Sequence, residues 1–136
     1  MIYIDSNVFI YATLQTGQEG DWCRALLRRV AEGKEEALTS ALTVDEVAYQ
    51  VREDRGLEAS VEAGRALLQM AHLAVVPADA EVLWRSLDLA SGLGLYPRDA
   101  IHAATAQLHG VEDFYSEDED FAGVEGLRRR WIRPSR

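Results

Sequence analysis

The sequence contains few of the residues on which metal and disulfide sites depend. It has one cysteine, Cys23, and three histidines. A single cysteine forms no internal disulfide, and with scattered histidines it gives no recognisable zinc-binding spacing. Cys23 lies in WCRALLRRV, an amphipathic helical pattern, and is expected to be a buried apolar side chain. An intrachain disulfide and a cysteine–histidine zinc site are therefore excluded.

Motifs for handling phosphate groups are also missing. Lys34, in the polar segment AEGKEEA, is the only lysine. A haloacid-dehalogenase-type phosphatase needs a positioned lysine and an acid where this chain has Asn7, and a response-regulator receiver needs a lysine after a late strand. The segment GLGLYP lacks a third spaced glycine, and no Gly-Lys-Ser/Thr sequence is present. These absences argue against a phosphatase of this type, a receiver domain and a protein with a glycine-rich phosphate-binding loop.

Long hydrophobic runs are absent as well. No apolar stretch approaches the ~20 residues that a membrane-spanning helix needs, and no basic leader precedes Asp5. We therefore expect a cytoplasmic protein with no membrane partner. The chain has 136 residues, 48% of them hydrophobic, and it shows no repeat or linker. This length and composition predict a single domain over residues 1–136.

The charge is strongly acidic and unevenly distributed. The formal net charge is −9, which disfavours nucleic-acid binding because phosphates are bound largely through lysine and arginine. The final segment LRRRWIRPSR, however, carries five arginines and no acid, so nine basic and all 23 acidic residues precede it. Two interpretations stay open for the basic residues Arg128, Arg129 and Arg130. They bind a nucleic-acid backbone, or they form the solvated end of a helix or strand.

Short apolar segments alternate with longer segments of helical period. Strands are predicted at residues 2–4, 37–40, 73–76, 114–115 and 131–133. Apolar stripes predict helices around residues 44–51 and 101–108, and further helices are expected at about 20–32, 58–71 and 79–91. This alternation predicts an α/β fold of three layers, in which helices flank a mainly parallel sheet of four to five strands.

Carboxylates follow several of these strands. Ligands of such sheets gather at the carboxyl ends of the strands. Four segments could deliver acids to this edge: Asp5 after the first strand, Asp45 and Glu46 after the second, Asp99 at a helix start, and residues 117–120 after the fourth.

Each acid also has a local explanation. Asp5 could cap a helix that begins near Asn7, TVDE is a capping box that would use Glu46, Asp99 would favour a helix dipole, and EDED could be a solvated turn. These explanations do not account for the set. Carboxylates within ~4–6 Å raise one another's pKa and oppose folding, so a converging cluster usually holds a cation. All-oxygen donors select Mg²⁺ or Mn²⁺ rather than zinc.

The same four segments resemble a known family. MIYIDSNVFIYA, LTVDEVAY, YPRDAIHAATA and DFYSEDEDFAGVEGL, in this order over nearly the whole chain, look like a PIN domain. The size is similar to that of the single-domain VapC-type toxins. The resemblance implies a metal-dependent ribonuclease that is silenced by a cognate antitoxin and forms a homodimer.

The resemblance also implies roles for individual residues. Asp5, Glu46, Asp99 and Asp118 match the acidic quartet, which would hold one or two Mg²⁺ or Mn²⁺ ions, and Asn7 and Ser116 match supporting positions. Two registers stay open. Asp120 is an alternative to Asp118, although a hydroxyl residue two positions earlier favours Asp118, and Asp45 is the substitute for Glu46.

Other functions stay open too. A non-catalytic PIN-like metal-binding module and an RNA-processing nuclease without an antitoxin are the alternatives to a toxin. His102 and His109, in the helix that follows Asp99, are interpreted as surface or helix-packing residues rather than as a general base.

Overall fold

A five-stranded sheet organises the chain. The structure is a computed structural model that describes residues 1–132. Within these residues the strands are β1 (Ile2–Ile4), β2 (Ala37–Ser40), β3 (Leu73–Val76), β4 (Asp113–Tyr115) and β5 (Arg128–Arg130). The helices are α1 (Ser6–Leu14), α2 (Gln18–Ala31), α3 (Ala41–Arg55), α4 (Leu57–Gln69), α5 (Ala80–Leu93) and α6 (Pro97–Leu108), with a short 3-10 helix at Glu119–Gly123.

All neighbouring strands in the sheet are parallel. The spatial order is β3-β2-β1-β4-β5, and β1 pairs with both β2 and β4. Strand order therefore reverses between β1 and β4, which places the expected ligand-binding crevice at the carboxyl end of β1. The predicted α/β fold, with a parallel sheet between helices, is confirmed.

Helices cover both faces of β1. Ile2 and Ile4 pack in a core with α1 to α4, whereas Tyr3 points into a second core with α6 and the 3-10 helix. All three side chains are buried, which explains why this strand reads as a continuous apolar run. Cys23 belongs to the first core and is fully buried, as expected.

The last strand lies three residues earlier than predicted. β5 comprises Arg128–Arg130 and pairs with β4, so the expected strand at residues 131–133 is wrong where the structure describes it, and residue 133 lies outside the described residues. Arg128 and Arg130 both form ion pairs with Asp113 of β4. These cross-strand pairs allow three consecutive arginines to form a partly exposed edge strand. Trp131 packs instead against Trp22 and donates its indole N–H to Glu19.

None of the helices described here is long and apolar enough to cross a membrane.

Candidate metal centre

Asp5 lies at the carboxyl end of β1 and is buried. Its Oδ1 accepts a hydrogen bond from the backbone N–H of Ser6 at 2.7 Å, which makes it the N-cap of α1. Its Oδ2 accepts from Ser116 Oγ at 2.7 Å and from Asn7 Nδ2 at 3.3 Å. Asp5 therefore caps α1 and also faces the ends of the other strands. The helix-cap role and a place among the converging acids are compatible for this residue.

Asn7 and Ser116 join β1 to the loop after β4. Asn7 Nδ2 donates to Ser116 Oγ at 3.1 Å, and Asn7 Oδ1 accepts from the backbone N–H of Glu117 at 3.3 Å. Ser116 Oγ also accepts from the backbone N–H of Asp118 at 3.1 Å. These bonds hold Asp118 on the same edge of the sheet as Asp5.

Glu46 points from α3 toward this edge. Its Oε1 lies 2.6 Å from His102 Nε2, and the same nitrogen lies 3.3 Å from Asp5 Oδ1. The capping-box explanation for Glu46 is wrong, because Ser40 caps α3 and Thr43 is buried against Thr39. Asp45 is exposed and belongs to neither group of carboxylates at this edge.

Asp99 lies in the first turn of α6, whose start is fixed by Pro97. Burial raises the pKa of Asp99 to about 6, and the charges of Asp118, Asp5 and Glu46 add to the rise. No hydrogen bond from residues 1–132 stabilises its carboxylate. Asp99 therefore lies close enough to Asp5, Glu46 and Asp118 for their charges to act on its carboxylate.

The ligand atoms form two adjacent groups. Those of Asp5, Glu46 and His102 lie within 4.8 Å of one another, and so do those of Asp99, Asp118 and Asp120. Asp118 is half-buried and caps the 3-10 helix through the backbone N–H of Asp120, whereas Asp120 is exposed. Both candidates for the fourth acid are therefore near Asp99, and Asp118 is the better shielded from solvent.

The three arginines of β5 bind groups of the protein itself. Arg129 Nη2 donates to the carbonyl of Glu117 at 2.7 Å, and its Nε donates to the carbonyl of Asp118 at 3.1 Å. Arg128 and Arg130 pair with Asp113. Of the two roles considered for these arginines, the contacts favour a structural one.

His102 is the residue of this centre that sequence reasoning missed. It is only 1% exposed, and its two ring nitrogens contact Tyr3 and Glu46. The burial agrees with helix packing, but the contact with two acids was not expected. The available signal was its spacing, since a residue three positions after Asp99 lies on the same face of a helix.

The electrostatics of His102 reflect this position. Burial lowers the pKa of His102. The charges of Asp5, Glu46 and Asp99 and the hydrogen bond to Glu46 raise it by more than burial lowers it, so the net shift is upward. The carboxylates around His102 thus favour its protonated form.

Comparison with sequence families assigns the fold. Residues 2–127 match the PIN domain family. The chain belongs to the PIN domain family. Comparison with curated protein sequences gives no significant match.

Solved structures with the same PIN fold come from several bacteria. VapC20 of Mycobacterium tuberculosis, described as a sarcin-ricin loop cleaving toxin, has a TM-score of 0.76 and 18% identity, with 94% of this chain and 99% of that chain covered. VapBC2 of Rickettsia felis, solved with promoter DNA, gives 0.75 and 18%, covering 96% and 99%. A toxin–antitoxin complex from Klebsiella pneumoniae gives 0.68 and 24%, covering 94% and 96%.

The donors of this PIN domain fit a hard divalent cation. Four carboxylates converge at the carboxyl edge of the sheet, and one of them, Asp99, is destabilised in its charged form by burial and, to a smaller extent, by its neighbours. A divalent cation removes this repulsion, and carboxylate oxygens are the ligands that Mg²⁺ and Mn²⁺ prefer. The unfavourable charge cluster is the observation that makes a metal centre the best explanation for this edge.

Proposed function

We propose that this PIN domain is a Mg²⁺- or Mn²⁺-dependent ribonuclease that hydrolyses RNA phosphodiester bonds and acts as the toxin of a toxin–antitoxin pair. The observation that carries the proposal is the convergence of Asp5, Glu46, Asp99 and Asp118 at the point where strand order reverses. Among the residues described, these acids form an edge at which a divalent cation could bind and could in turn bind the phosphates of RNA.

The acids and their neighbours have different roles in this proposal. Asp5, Asp99 and Asp118 hold the cation, and Glu46 binds it directly or through water. Asn7 and Ser116 keep the Asp5 carboxylate in place by hydrogen bonds, and Asp120 supports Asp118 from the start of the 3-10 helix. A bound Mg²⁺ or Mn²⁺ supplies Lewis acidity toward the phosphate and lowers the pKa of a coordinated water.

The cation also makes an acidic edge compatible with RNA. Carboxylates alone repel phosphates, and β5 offers little compensation because Arg128 and Arg130 are paired with Asp113. Compensation of the acids by divalent cations therefore decides whether RNA approaches this edge. The requirement predicts that RNA affinity, as well as cleavage, depends on the divalent cation.

An antitoxin partner is supported by the structural neighbours, several of which were solved as toxin–antitoxin complexes. An apolar groove of about 340 Å³ lies between α1, α3 and α4 and could bind an amphipathic helix. Its lining also includes one basic residue, Arg55, and one acidic residue, Glu62. The other lining residues include Phe9, Val47, Val51, Ala63, Leu67 and Met70. We propose that the antitoxin helix occupies this groove and directs an arginine or lysine toward the acids.

A homodimer is proposed from the exposed apolar side chains of α5. Trp84 is 72% exposed, Leu87 is 61% exposed and Leu83 is 42% exposed, and their spacing places them on one helix face. Burying this stripe against a second copy removes it from water. Light scattering at tens of micromolar protein tests the proposal, and a monomer at that concentration contradicts it. RNA and antitoxin partners both imply a cytoplasmic location.

A cleavage titration tests the proposed activity. RNA is incubated with purified protein and increasing Mg²⁺ or Mn²⁺, then with EDTA, and then with either ion restored. We expect cleavage to require the ion, to stop with EDTA and to return on restoration. Cleavage that survives exhaustive chelation contradicts the metal mechanism, and metal binding without cleavage favours a non-catalytic module. A gene for a small partner beside this one separates a toxin from an RNA-processing nuclease.

A further inference from the structure

His102 lies inside the acidic centre, but it is not one of the acids proposed to hold the cation. Its imidazole is only 1% exposed, and both ring nitrogens are occupied. Nδ1 lies 2.6 Å from the hydroxyl oxygen of Tyr3, and Nε2 lies 2.6 Å from Glu46 Oε1. A buried ring with two short contacts has little freedom to rotate, so it can fix the position of a longer side chain.

The contact with Glu46 determines which nitrogen carries a hydrogen, because a carboxylate only accepts and His102 Nε2 must therefore donate to it. The Tyr3 oxygen accepts from the backbone N–H of Ser40 at 3.2 Å, and in the neutral imidazole its own O–H donates to His102 Nδ1. Nδ1 is then an acceptor in the neutral ring, and Nε2 carries the hydrogen. Nε2–H therefore donates to Glu46, and it also carries a hydrogen in the imidazolium form.

Tyr3 is itself held firmly. Its ring stacks on Phe114 of β4 with centroids 4.8 Å apart and an interplanar angle of 8°. Burial raises the pKa of Tyr3 well above its ordinary value, and the Asp5 charge adds to the rise, so the hydroxyl keeps the proton that it donates. The hydrogen bonds from Tyr3 through His102 to Glu46 thus begin at a rigid residue of the sheet.

Glu46 needs such support more than the other acids. It is the longest of the four carboxylate side chains, and its only hydrogen bond within residues 1–132 is the one to His102. Asp5, by contrast, receives bonds from Ser6, Asn7 and Ser116. Because Nε2 also lies 3.3 Å from Asp5 Oδ1, the imidazole sets the distance between the two acids.

We infer that His102 is a positioning residue, which through the relay Tyr3–His102–Glu46 holds the Glu46 carboxylate in the orientation that binds the divalent cation. Oε1 is engaged by the imidazole, and Oε2 makes no hydrogen bond within the described residues. The inference rests on the proposed function, since it assigns a partner to one of the proposed metal ligands. Outer partners of metal ligands commonly change metal affinity by about 10–100-fold.

The experiment compares four variants with the wild type. His102→Leu removes the donor and keeps an apolar side chain of similar size. His102→Gln keeps an N–H near the position of Nε2. Tyr3→Phe removes the hydroxyl that contacts His102 Nδ1 and that also accepts from the backbone N–H of Ser40. His109→Leu is the matched control, because His109 lies at the end of the same helix and its Nδ1 contacts the Thr105 carbonyl instead of an acid.

Mn²⁺ binding is measured by calorimetric titration of the RNA-free protein, with melting curves to establish that each variant is folded. We expect His102→Leu to weaken Mn²⁺ binding by about 10–100-fold, Tyr3→Phe to weaken it several-fold, and His102→Gln and His109→Leu to stay within about threefold of wild type. In cleavage assays at saturating Mn²⁺, His102→Leu is expected to lower kcat more than it raises KM.

Two results overturn the inference. A folded His102→Leu variant that binds Mn²⁺ as tightly as wild type shows that Glu46 needs no partner, and a His102→Gln variant as weak as His102→Leu shows that ring packing matters rather than the N–H. If His102→Leu does not fold, Tyr3→Phe and His102→Gln still decide. Failure of the proposed function is a different outcome, in which wild-type protein itself neither binds Mn²⁺ nor cleaves RNA.

Discussion

The two halves of the acidic centre are stabilised in different ways. Asp5 and Glu46 are paired with His102, and Asp5 receives further hydrogen bonds from backbone and side chains. Asp99 and Asp118 have no histidine or other cation in contact with their carboxylates among the described residues, and burial with neighbouring charges raises the pKa of Asp99 to about 6. Hydrogen bonds from the protein itself stabilise the first half, whereas in the second half a proton or a bound cation would remove the repulsion between the carboxylates.

Equal charges at one sheet edge therefore have unequal effects on stability. A buried carboxylate is tolerated when hydrogen bonds replace its water, as for Asp5. A carboxylate without such bonds destabilises the folded state at neutral pH, as for Asp99. The most direct way to test the comparison is to make the same Asp→Asn change in both halves.

The largest expected effect is on cleavage. Asp99→Asn and Asp118→Asn should each reduce kcat/KM by roughly 10³-fold, because losing a cation ligand removes several kcal/mol of transition-state stabilisation. Asp120→Asn should cost no more than about tenfold, since Asp120 is exposed and only supports Asp118. The control is Asp45→Asn, an exposed acid on α3. If Asp120→Asn is the more damaging change, the assignment of the fourth acid moves to Asp120.

The next effect separates the two halves by stability. In EDTA at neutral pH, Asp99→Asn should raise the free energy of unfolding by about 1 kcal/mol, after allowance for solvent screening, because it removes repulsion. Asp5→Asn should lower it by about 1–3 kcal/mol, because one side-chain oxygen that accepts hydrogen bonds becomes a donor. Urea unfolding measures both. Shifts of the same sign in the two variants contradict the division into halves.

A smaller effect is expected in the pH dependence. The pKa of Asp99 rises from 3.8 in the unfolded chain to about 6 in the folded one, so between these values the folded state binds more protons. Its contribution to stability is therefore fully present below pH 4 and is lost as pH rises through about 6. Asp99→Asn should abolish this part of the decline. Unfolding of wild type and variant from pH 4 to 8, without divalent cations, gives the difference directly, and parallel curves refute it.

The smallest effect concerns the loop that carries Asp118. Arg129→Gln removes the guanidinium that donates to the carbonyls of Glu117 and Asp118, so we expect a several-fold loss of Mn²⁺ affinity with little change in melting temperature. Arg128→Gln, which removes only exposed ion pairs, is the control. Equal behaviour of the two variants shows that the loop does not depend on Arg129.

Much of the fold could be predicted because it depends on local patterns. The short apolar runs gave β1, β2 and β3 at their observed positions, and helical stripes gave α3 and α6. The prediction failed at β5, because this strand consists of three arginines, which pair with β4 through the backbone and of which two form ion pairs with Asp113. Apolar periodicity carries no information about such a pair.

The candidate site was predictable to the extent that strand ends are predictable. Acids at the carboxyl ends of parallel strands meet at one edge, which predicted that Asp5, Asp45 or Glu46, Asp99 and an acid of residues 117–120 converge there. The choice of Glu46 and Asp118 came from the family resemblance. Spacing from Asp99 could have placed His102 on the same helix face, but not its role, which depends on contacts with Tyr3 and Glu46 from separate elements. Nor could spacing show that Asp5 is both a helix cap and a neighbour of the other acids.

The hydrogen bond between Ser116 and Asp5 joins residues that are 111 positions apart in the chain. The acidic edge therefore does not exist until β1 and β4 have paired, and this long-range pairing is a slow step compared with helix formation. Since the full set of carboxylates is assembled only in the completed sheet, the proposed divalent cation would bind the folded protein and not its partly folded precursors. Binding should consequently prolong the lifetime of the native state by slowing unfolding, and it should leave the rate of folding nearly unchanged.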